Sequence, residues 1–301
     1  MITFSIVTPA WNSERFITET IESVISQKGD FAIEYIIVDN ASSDSTLEIA
    51  NRYKTLIECR HYPVHCNKVS LQIISEEDEG MYDALNKGFR NATGNIYAWI
   101  NSDDLYLPGA FSVVANTFRK YPRVLWLKGI TSYINDSSTV FKTGKYNLYD
   151  SDWIKKGVYG RDLYFIQQDS VFFRSSLWAI SGNFNPGLKL AGDYALWISF
   201  AEKTLLNSLK AYVSCFRHSD KQLSKNVDGY THEMIQIAPQ KDIVCKMVSA
   251  YFRLETYIPV IIRPCIFRLL FGNRRYHIVT LDGNQEPNLR SCSFYQALGL
   301  R

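Results

Sequence analysis

The stretch SEEDEGMYDALNKGFRNATGNIYAWINSDDLYL, residues 75–107, constrains the fold more than any other part of the chain. It reads as an acidic turn, an amphipathic helix, a buried strand and then the adjacent carboxylates Asp103 and Asp104, so two acids are predicted at the carboxyl end of a core strand. In an open α/β sheet, ligands bind in the crevice outside the strand ends, where loops and helix termini converge. Mg²⁺ and Mn²⁺ take hard oxygen ligands, and a Mg²⁺ site commonly combines one or two carboxylates with waters and phosphates. The pair therefore suits a divalent cation carrying a diphosphate. The plainer reading of the same residues is an Asn-Ser-Asp-Asp turn that caps a helix starting near Pro108.

The residues before this stretch favour a sheet. TFSIVT, residues 3–8, is predicted as a buried strand stopped by Pro9; Asn12 or Ser13 then opens a helix with Phe16, Ile17, Ile21, Val24 and Ile25 on one stripe. A second strand, residues 35–38, runs into Asp39. Ser42, Ser43 and Asp44 supply cap chemistry for a helix through Tyr53, and residues 71–75 form a third strand. Strands alternating with helices predict a mostly parallel α/β sheet with right-handed crossovers. The first strand-to-helix turn, TPAWNSE, lacks G-x-G-x-x-G, and no G-x-x-x-x-G-K-[ST] occurs. Farther on, Gln168 and Asp169 precede a strand over residues 170–173. In LAGDYALW, Gly192 allows a tight turn and Asp193 begins a helix with Leu196, Trp197, Phe200 and Leu205 on its apolar face. A helix N-terminus favours an ionised carboxylate, so the dipole is expected to keep the pKa of Asp193 low enough to accept a proton near neutral pH; a simple N-cap is the alternative role. Arg217 and His218 close a strand over residues 211–216.

Seven segments in this order resemble the family 2 glycosyltransferases with the GT-A fold, of bacterial polysaccharide or O-antigen type, over roughly residues 1–225: SIVTPAWN, IIVDNASSDST, EEDEGMYDALNKGFRNATG, INSDD, QQDSVFFRSSLW, LAGDYALW and FRHSDKQLS. The resemblance implies transfer of a hexosyl or N-acetylhexosaminyl group from a nucleotide diphosphate sugar, UDP-linked by expectation, to a hydroxyl of a glycan or lipid-linked saccharide, with inversion at the anomeric carbon. It implies Mn²⁺ or Mg²⁺ as cofactor, with Asp104 and His218 as metal ligands. Thr8, Pro9, Asn12, Asp39, Asp78, Asp103, Gln168 and Arg217 are the implied donor-binding residues. Asp39 would contact the base or ribose, Asp103 the ribose side, and Arg217 or Lys221 the phosphates. Asp193 is the implied catalytic base. Asn101 departs from the Asp-x-Asp common in the family and places the metal duty on Asp104.

The net charge is only +3, and it is concentrated after residue 240, which argues against a nucleic-acid groove. Residues 1–235 are expected to form the GT-A domain and residues 236–301 a helical extension. Within it, MVSAYFRLETYIPVIIRPCIFRLLFG carries Arg253, Arg263 and Arg268 among apolar residues but is broken by Pro259 and Pro264, so no membrane span is expected. Such a segment suits an anionic membrane surface, a contact with the catalytic domain, or a homodimer contact. The 6 cysteines include no C-x-x-C pair, and the N-terminus enters a strand directly, so a cytoplasmic protein is expected, peripheral at the inner face of the inner membrane if the tail binds lipid. The knot CRHYPVHC crowds two Cys and two His too closely to enclose one zinc. Two rival classes remain: a catalytically silent sugar-nucleotide-binding or scaffold protein, and a nucleotidyltransferase, which would be expected to carry a Gly-rich phosphate loop that TPAWNSE does not offer.

Overall fold

The computed structural model describes residues 1–161, 163–219, 225–238 and 243–297. Lys221, with the rest of the FRHSDKQLS run after Ser219, lies outside the described residues. In chain order the elements begin β1 (Thr3–Ala10), α1 (Ile17–Ile25), β2 (Gly29–Asp39), α2 (Thr46–Glu58), β3 (Cys66–Ser75), α3 (Met81–Arg90) and β4 (Ile96–Trp99). They continue through β5 (Leu105–Tyr106), α4 (Ala110–Lys120), β6 (Trp126–Ile134), β7 (Val140–Lys142), α5 (Ser151–Lys155), β8 (Val171–Arg174), α6 (Ser175–Ser181), α7 (Gly192–Lys203) and β9 (Asn207–Arg217). Last come α8 (Val227–Ile237), α9 (Ile243–Leu254), α10 (Arg263–Phe271), β10 (Tyr276–Leu281), β11 (Pro287–Cys292) and α11 (Phe294–Ala297).

One sheet has the order β11-β10-β9-β6-β8-β4-β1-β2-β3, with β5 paired to β9 and β7 to β6. The β1–β2, β2–β3, β1–β4, β6–β9 and β9–β10 pairs are parallel, while β8 runs antiparallel to β4 and β6. This is the mostly parallel α/β sheet that the alternation of strands and helices predicts. Strands β1 and β4 are buried on both faces because helices cover both sides. On one face Phe4, Phe31 and Phe111 pack together; on the other, Trp99 stacks on Trp197 at 5.4 Å. Gly88 brings α3 so close to Val7 that a Cβ there would collide with it.

The order places the functional region. From β1 the chain steps outward to β2 and β3, and α3 then returns it to β4 on the opposite side of β1. The point where the direction reverses lies between β1 and β4, so topology places the expected ligand crevice at their carboxyl ends. Val7 pairs with Ile36 and with Trp99, so the ends of β1, β2 and β4 lie side by side.

Several boundaries differ from expectation. Pro9 does not stop β1: it sits at the penultimate position, opposite Val38, where the loss of one donor is tolerated at the strand end. Helix α1 starts at Ile17, because Asn12, Ser13 and Glu14 spend their hydrogen bonds on the loop before α2. Helix α4 starts at Ala110 after Gly109, so the Asn-Ser-Asp-Asp turn does not cap it. Residues 168–170 form a 3₁₀ turn, and Leu205 lies beyond α7 and is exposed.

The C-terminal extension is not purely helical. Strand β10 pairs with β9 and continues the main sheet, and Tyr251, Phe267 and Phe271 are buried in the core that contains Trp153. Its outer surface is apolar: Leu254, Tyr257, Val260, Ile261, Ile262, Leu269 and Leu270 are all exposed, Ile261 at 82% and Leu269 at 84%. Among the described residues no helix is long and apolar enough to cross a membrane.

Candidate active site

The crevice is braced by side-chain hydrogen bonds between its loops. Asn12, at φ 46°, donates its N–H to Ser42 Oγ at 2.9 Å, and its Oδ1 accepts from the N–H of Ser43 at 2.9 Å. Thr8 is buried and accepts from the Tyr35 hydroxyl at 3.0 Å; Pro9 is half-buried beside it. Asp39 ends β2 with no exposed surface. Its Oδ2 accepts from Ser75 Oγ at 2.8 Å and from the Ser42 N–H at 3.2 Å, while its Oδ1 has no hydrogen-bond partner among the described residues. Buried carboxylate oxygens are normally satisfied, so this atom marks unused hydrogen-bonding capacity at the end of β2, although like Asp104 it has no exposed surface. Asp78 caps Gly80, its Oδ1 accepting that N–H at 2.8 Å, while its own N–H donates to Asn40. Burial raises its pKa against the Gly80 N–H and Lys87, with Asp83 and Asp39 adding to the rise.

The two acids after β4 have different surroundings. Asp104 is sealed: Oδ1 accepts from the Arg217 N–H at 2.8 Å and Oδ2 from Asn101 Nδ2 at 3.2 Å, with no surface exposed. Burial, then Asp103 and Asp169, push its pKa well above the carboxylate range against the Arg217 and Asn101 bonds. Asp103 is only half-buried. The expectation that Asp104 holds the cation and Asp103 contacts ribose is therefore not what burial favours, because the carboxylate of Asp103 is the more accessible. Nor is Arg217 arranged for phosphates. Its side chain is buried, Nε donates to the Asp103 carbonyl at 2.7 Å, Nη1 to the Asn135 carbonyl and Ser138 Oγ at 2.9 Å, and Nη2 to Glu19 at 3.0 Å. It braces the acidic turn from behind. His218, the next residue, is exposed, with its ring between Tyr133 and Phe141. Among the described residues no three or more His, Cys, Asp or Glu cluster as a metal cage. The donors present fit a cation that takes much of its coordination from substrate phosphates and water.

Gln168 directs both side-chain polar atoms into buried space where neither has a partner among the described residues. Its neighbour Asp169, easily passed over in the sequence, is fully buried; its Oδ2 accepts from Thr131 at 2.9 Å and also from Ser214. Burial raises its pKa, and Ser214, Thr131 and Lys128 oppose the rise. Lys128, itself buried, is lowered to about 8 by burial despite Asp169.

Asp193 lies in the first turn of α7, not at the N-cap, which is Ala191. Its Oδ1 accepts from the Tyr194 N–H at 2.7 Å and meets the hydroxyls of Tyr82 and Tyr230 at 3.4 Å. Burial raises its pKa to about 7 against those three donors. Desolvation outweighs the helix terminus and lifts the value, which still lets the carboxylate accept a proton near neutral pH. A carboxylate that titrates there is matched to general-base work near neutral pH. Sequence reasoning missed Tyr82, Tyr230 and Glu233. Tyr82 was visible only as one more aromatic on a helix, and the other two sit on α8, after the last recognisable motif.

A model of the family described as "Glycosyl transferase family 2" matches residues 5–191. An uncharacterized glycosyltransferase of Rickettsia typhi is 24% identical over 278 residues, covering 84% of this chain and 81% of that protein. Chondroitin synthase of Escherichia coli is 25% identical over 66% of this chain, which corresponds to only 26% of that protein. Among solved structures, S. aureus TarS 1–349 in complex with UDP-GlcNAc superposes with a TM-score of 0.60 at 18% identity, covering 79% of this chain and 66% of that one. The mannosyltransferase PcManGT from Pyrobaculum calidifontis, in complex with GDP-Man and Mn²⁺, gives a TM-score of 0.52 at 14% identity, covering 88% of this chain and 80% of that one. These likenesses are to GT-A-type structures and match the mostly parallel sheet.

Proposed function

The chain belongs to glycosyl transferase family 2, and from that premise we propose that it moves a sugar from a UDP-linked donor to an acceptor hydroxyl, with inversion, in the assembly of a cell-surface polysaccharide. The observation that carries this reading is the placement of Asp193, a half-buried carboxylate in the first turn of α7 that meets Tyr230 and also Tyr82 on α3, the helix that leads from the Asp78 loop to β4; these surroundings raise its pKa to about 7. The unpartnered Oδ1 of Asp39 and the unpartnered amide of Gln168 support these residues, with Asp78, as contacts to the sugar donor. Asp193 takes the acceptor proton as the new glycosidic bond forms, and its environment makes the proton-free form available at neutral pH without leaving it a weak base.

A divalent cation bound here would offset the negative charge on the departing diphosphate. Asp103, with His218, would hold it together with phosphate oxygens; sealed Asp104 supports the turn. TarS with UDP-GlcNAc and PcManGT with Mn²⁺ support a nucleotide-sugar donor and a metal. The exposed apolar face of residues 254–270, beside Arg253 and Arg268 and without a free acid, supports a tail lying on an anionic membrane surface at the cytoplasmic side. That placement suits a lipid-linked saccharide acceptor.

The test is thermal stabilisation by a panel of UDP- and GDP-sugars with and without Mn²⁺. The reading expects one nucleotide sugar to raise the melting temperature in a Mn²⁺-dependent way, and Asp103→Ala to remove that dependence while Asp104→Ala lowers the melting temperature of the protein alone. No response to any nucleotide sugar would sink it.

A further inference from the structure

We propose that helix α8, which lies outside the segment matched by the family model, positions the base: Glu233 fixes the turn that presents Asp193, and Tyr230 holds the carboxylate itself. The proposal rests on the reading of Asp193 as the base.

The turn before α7 has three backbone N–H groups in a row, on Lys189, Leu190 and Ala191, and no side chain of its own caps the helix. Such N–H groups at a helix start lack intrahelical partners and must find them elsewhere. All three point at one carboxylate. Glu233 Oε1 accepts from Lys189 at 2.9 Å, and Oε2 accepts from Leu190 at 2.9 Å and Ala191 at 2.7 Å. Although burial works against it, these N–H groups and Lys189 hold the Glu233 carboxyl below its ordinary pKa, so it stays ionised across the working range. A carboxylate accepting three backbone donors fixes the turn more firmly than a neutral side chain could. The same turn is tied to the donor side of the crevice, since Lys189 Nζ donates to the Glu79 carbonyl at 2.6 Å, next to Asp78.

Tyr230 completes the arrangement one helical turn earlier on the same helix. Counting protons separates it from Tyr82. The Tyr82 hydroxyl has two acceptors, the Leu190 carbonyl at 2.7 Å and Asp193 Oδ1 at 3.4 Å, so its one proton is shared and goes mainly to the nearer carbonyl. The Tyr230 hydroxyl has Asp193 Oδ1 as its hydrogen-bond partner among the described residues, at 3.4 Å. Hydrogen bonds to a base are often long before the acceptor is bound and tighten with it. The ring of Tyr230 is held by an edge contact with Phe165 at 5.4 Å. Gly229 leaves no room for a Cβ against Leu190 and Asn226, so α8 sits directly on the turn. Glu233 and Tyr230, one turn apart on a helix, thus face the same turn from one side.

Two measurements on the full chain test this without a sugar donor or an acceptor. In amide hydrogen exchange, Glu233→Ala is expected to speed exchange at residues 189–191 by roughly tenfold or more, and Glu233→Gln, which keeps an accepting oxygen, to restore part of the protection. In a ¹³C carboxyl titration, with the Asp193 signal identified by its loss in Asp193→Asn, Tyr230→Phe is expected to raise the Asp193 pKa by about half to one unit, since a donor to the ionised form is removed. The Tyr230→Phe readout stands even if Glu233→Ala does not fold. Wild-type protection in Glu233→Ala together with a wild-type titration in Tyr230→Phe would overturn the proposal. Undiminished sugar transfer by Asp193→Asn would instead remove the base reading, while leaving both physical readouts intact.

Discussion

At the β1/β4 crevice, side chains are placed by backbone and polar braces: Asn12 ties two loops together, Asp39 is half satisfied by Ser75 and Ser42, and Arg217 supports the acidic turn from behind. Around Asp193 three donors meet one carboxylate oxygen, the Tyr194 N–H and the hydroxyls of Tyr82 and Tyr230. The first region holds acids by hydrogen bonding and leaves one buried oxygen of Asp39 without a partner. The second half-buries an acid between aromatic side chains and raises its proton affinity. On the proposed reading the contrast divides the labour: a polar crevice for a charged donor, a half-buried carboxylate for a proton transfer.

The largest effect should come from the second region. Asp193→Asn is expected to lower kcat by roughly 10² to 10⁴ with little change in donor affinity, because the proton is taken only as the bond forms. Steady-state kinetics with calorimetric donor binding reads both, and an equal loss in each would merge the two regions into one binding site.

The pH dependence sharpens the same contrast. Folded Asp193 keeps its proton up to about 7, whereas the ordinary carboxyl value is 3.8, so between these values the native state holds more protons than the unfolded chain. Stability attributable to this group therefore falls as pH rises through that window. Activity should rise through about 7 as the base is freed, and Asp193→Asn should melt higher than wild type at pH 8 but not at pH 4. A melting difference that does not depend on pH would mean that Asp193 is not desolvated.

In the crevice the expected losses are smaller and fall on binding. Asp39→Ala should weaken nucleotide affinity by roughly 1.5 to 3 kcal/mol, the worth of one charge-assisted hydrogen bond, with kcat at saturating donor nearly unchanged. Unaltered affinity would return Asp39 to a role in bracing Ser42 and Ser75.

The smallest effect belongs to the outer face of the extension. Replacing Arg253 or Arg268 by Gln should weaken sedimentation with anionic vesicles by about 1 kcal/mol each, and the effect should fade with salt. Ile261→Glu should reduce binding to neutral vesicles as well. Point changes serve better than truncation here, because β10 and the buried faces of α9 and α10 belong to the main sheet and core. Vesicle binding unaffected by any of them, with a concentration-dependent dimer instead, would assign this face to a second copy.

Much of the fold was legible because its signals are local. Apolar runs of strand length, helical stripes and the acidic turn after β4 each declare themselves within a dozen residues, and alternation then dictates the parallel sheet and its crevice. The positions of Asp39, Asp78, Asp103 and Asp193 at the ends of elements were visible in the same way. Their chemistry was not. Asp103 and Asp104 are neighbours of one residue type, and only β9, bringing the Arg217 N–H from far along the chain, decides which of them is sealed. The helix start at Asp193 argued for a carboxylate kept ionised, and only burial in the folded chain raised its pKa, against the hydroxyls of Tyr82 and Tyr230 from helices distant in sequence. Arg217 looked like a phosphate ligand until its partners were known, and Glu233 had no motif to mark it. Local pattern determines where backbone can turn and which faces are apolar, since both depend on neighbours in the chain. Burial and proton affinity depend on neighbours in space, and those are chosen only when the sheet closes.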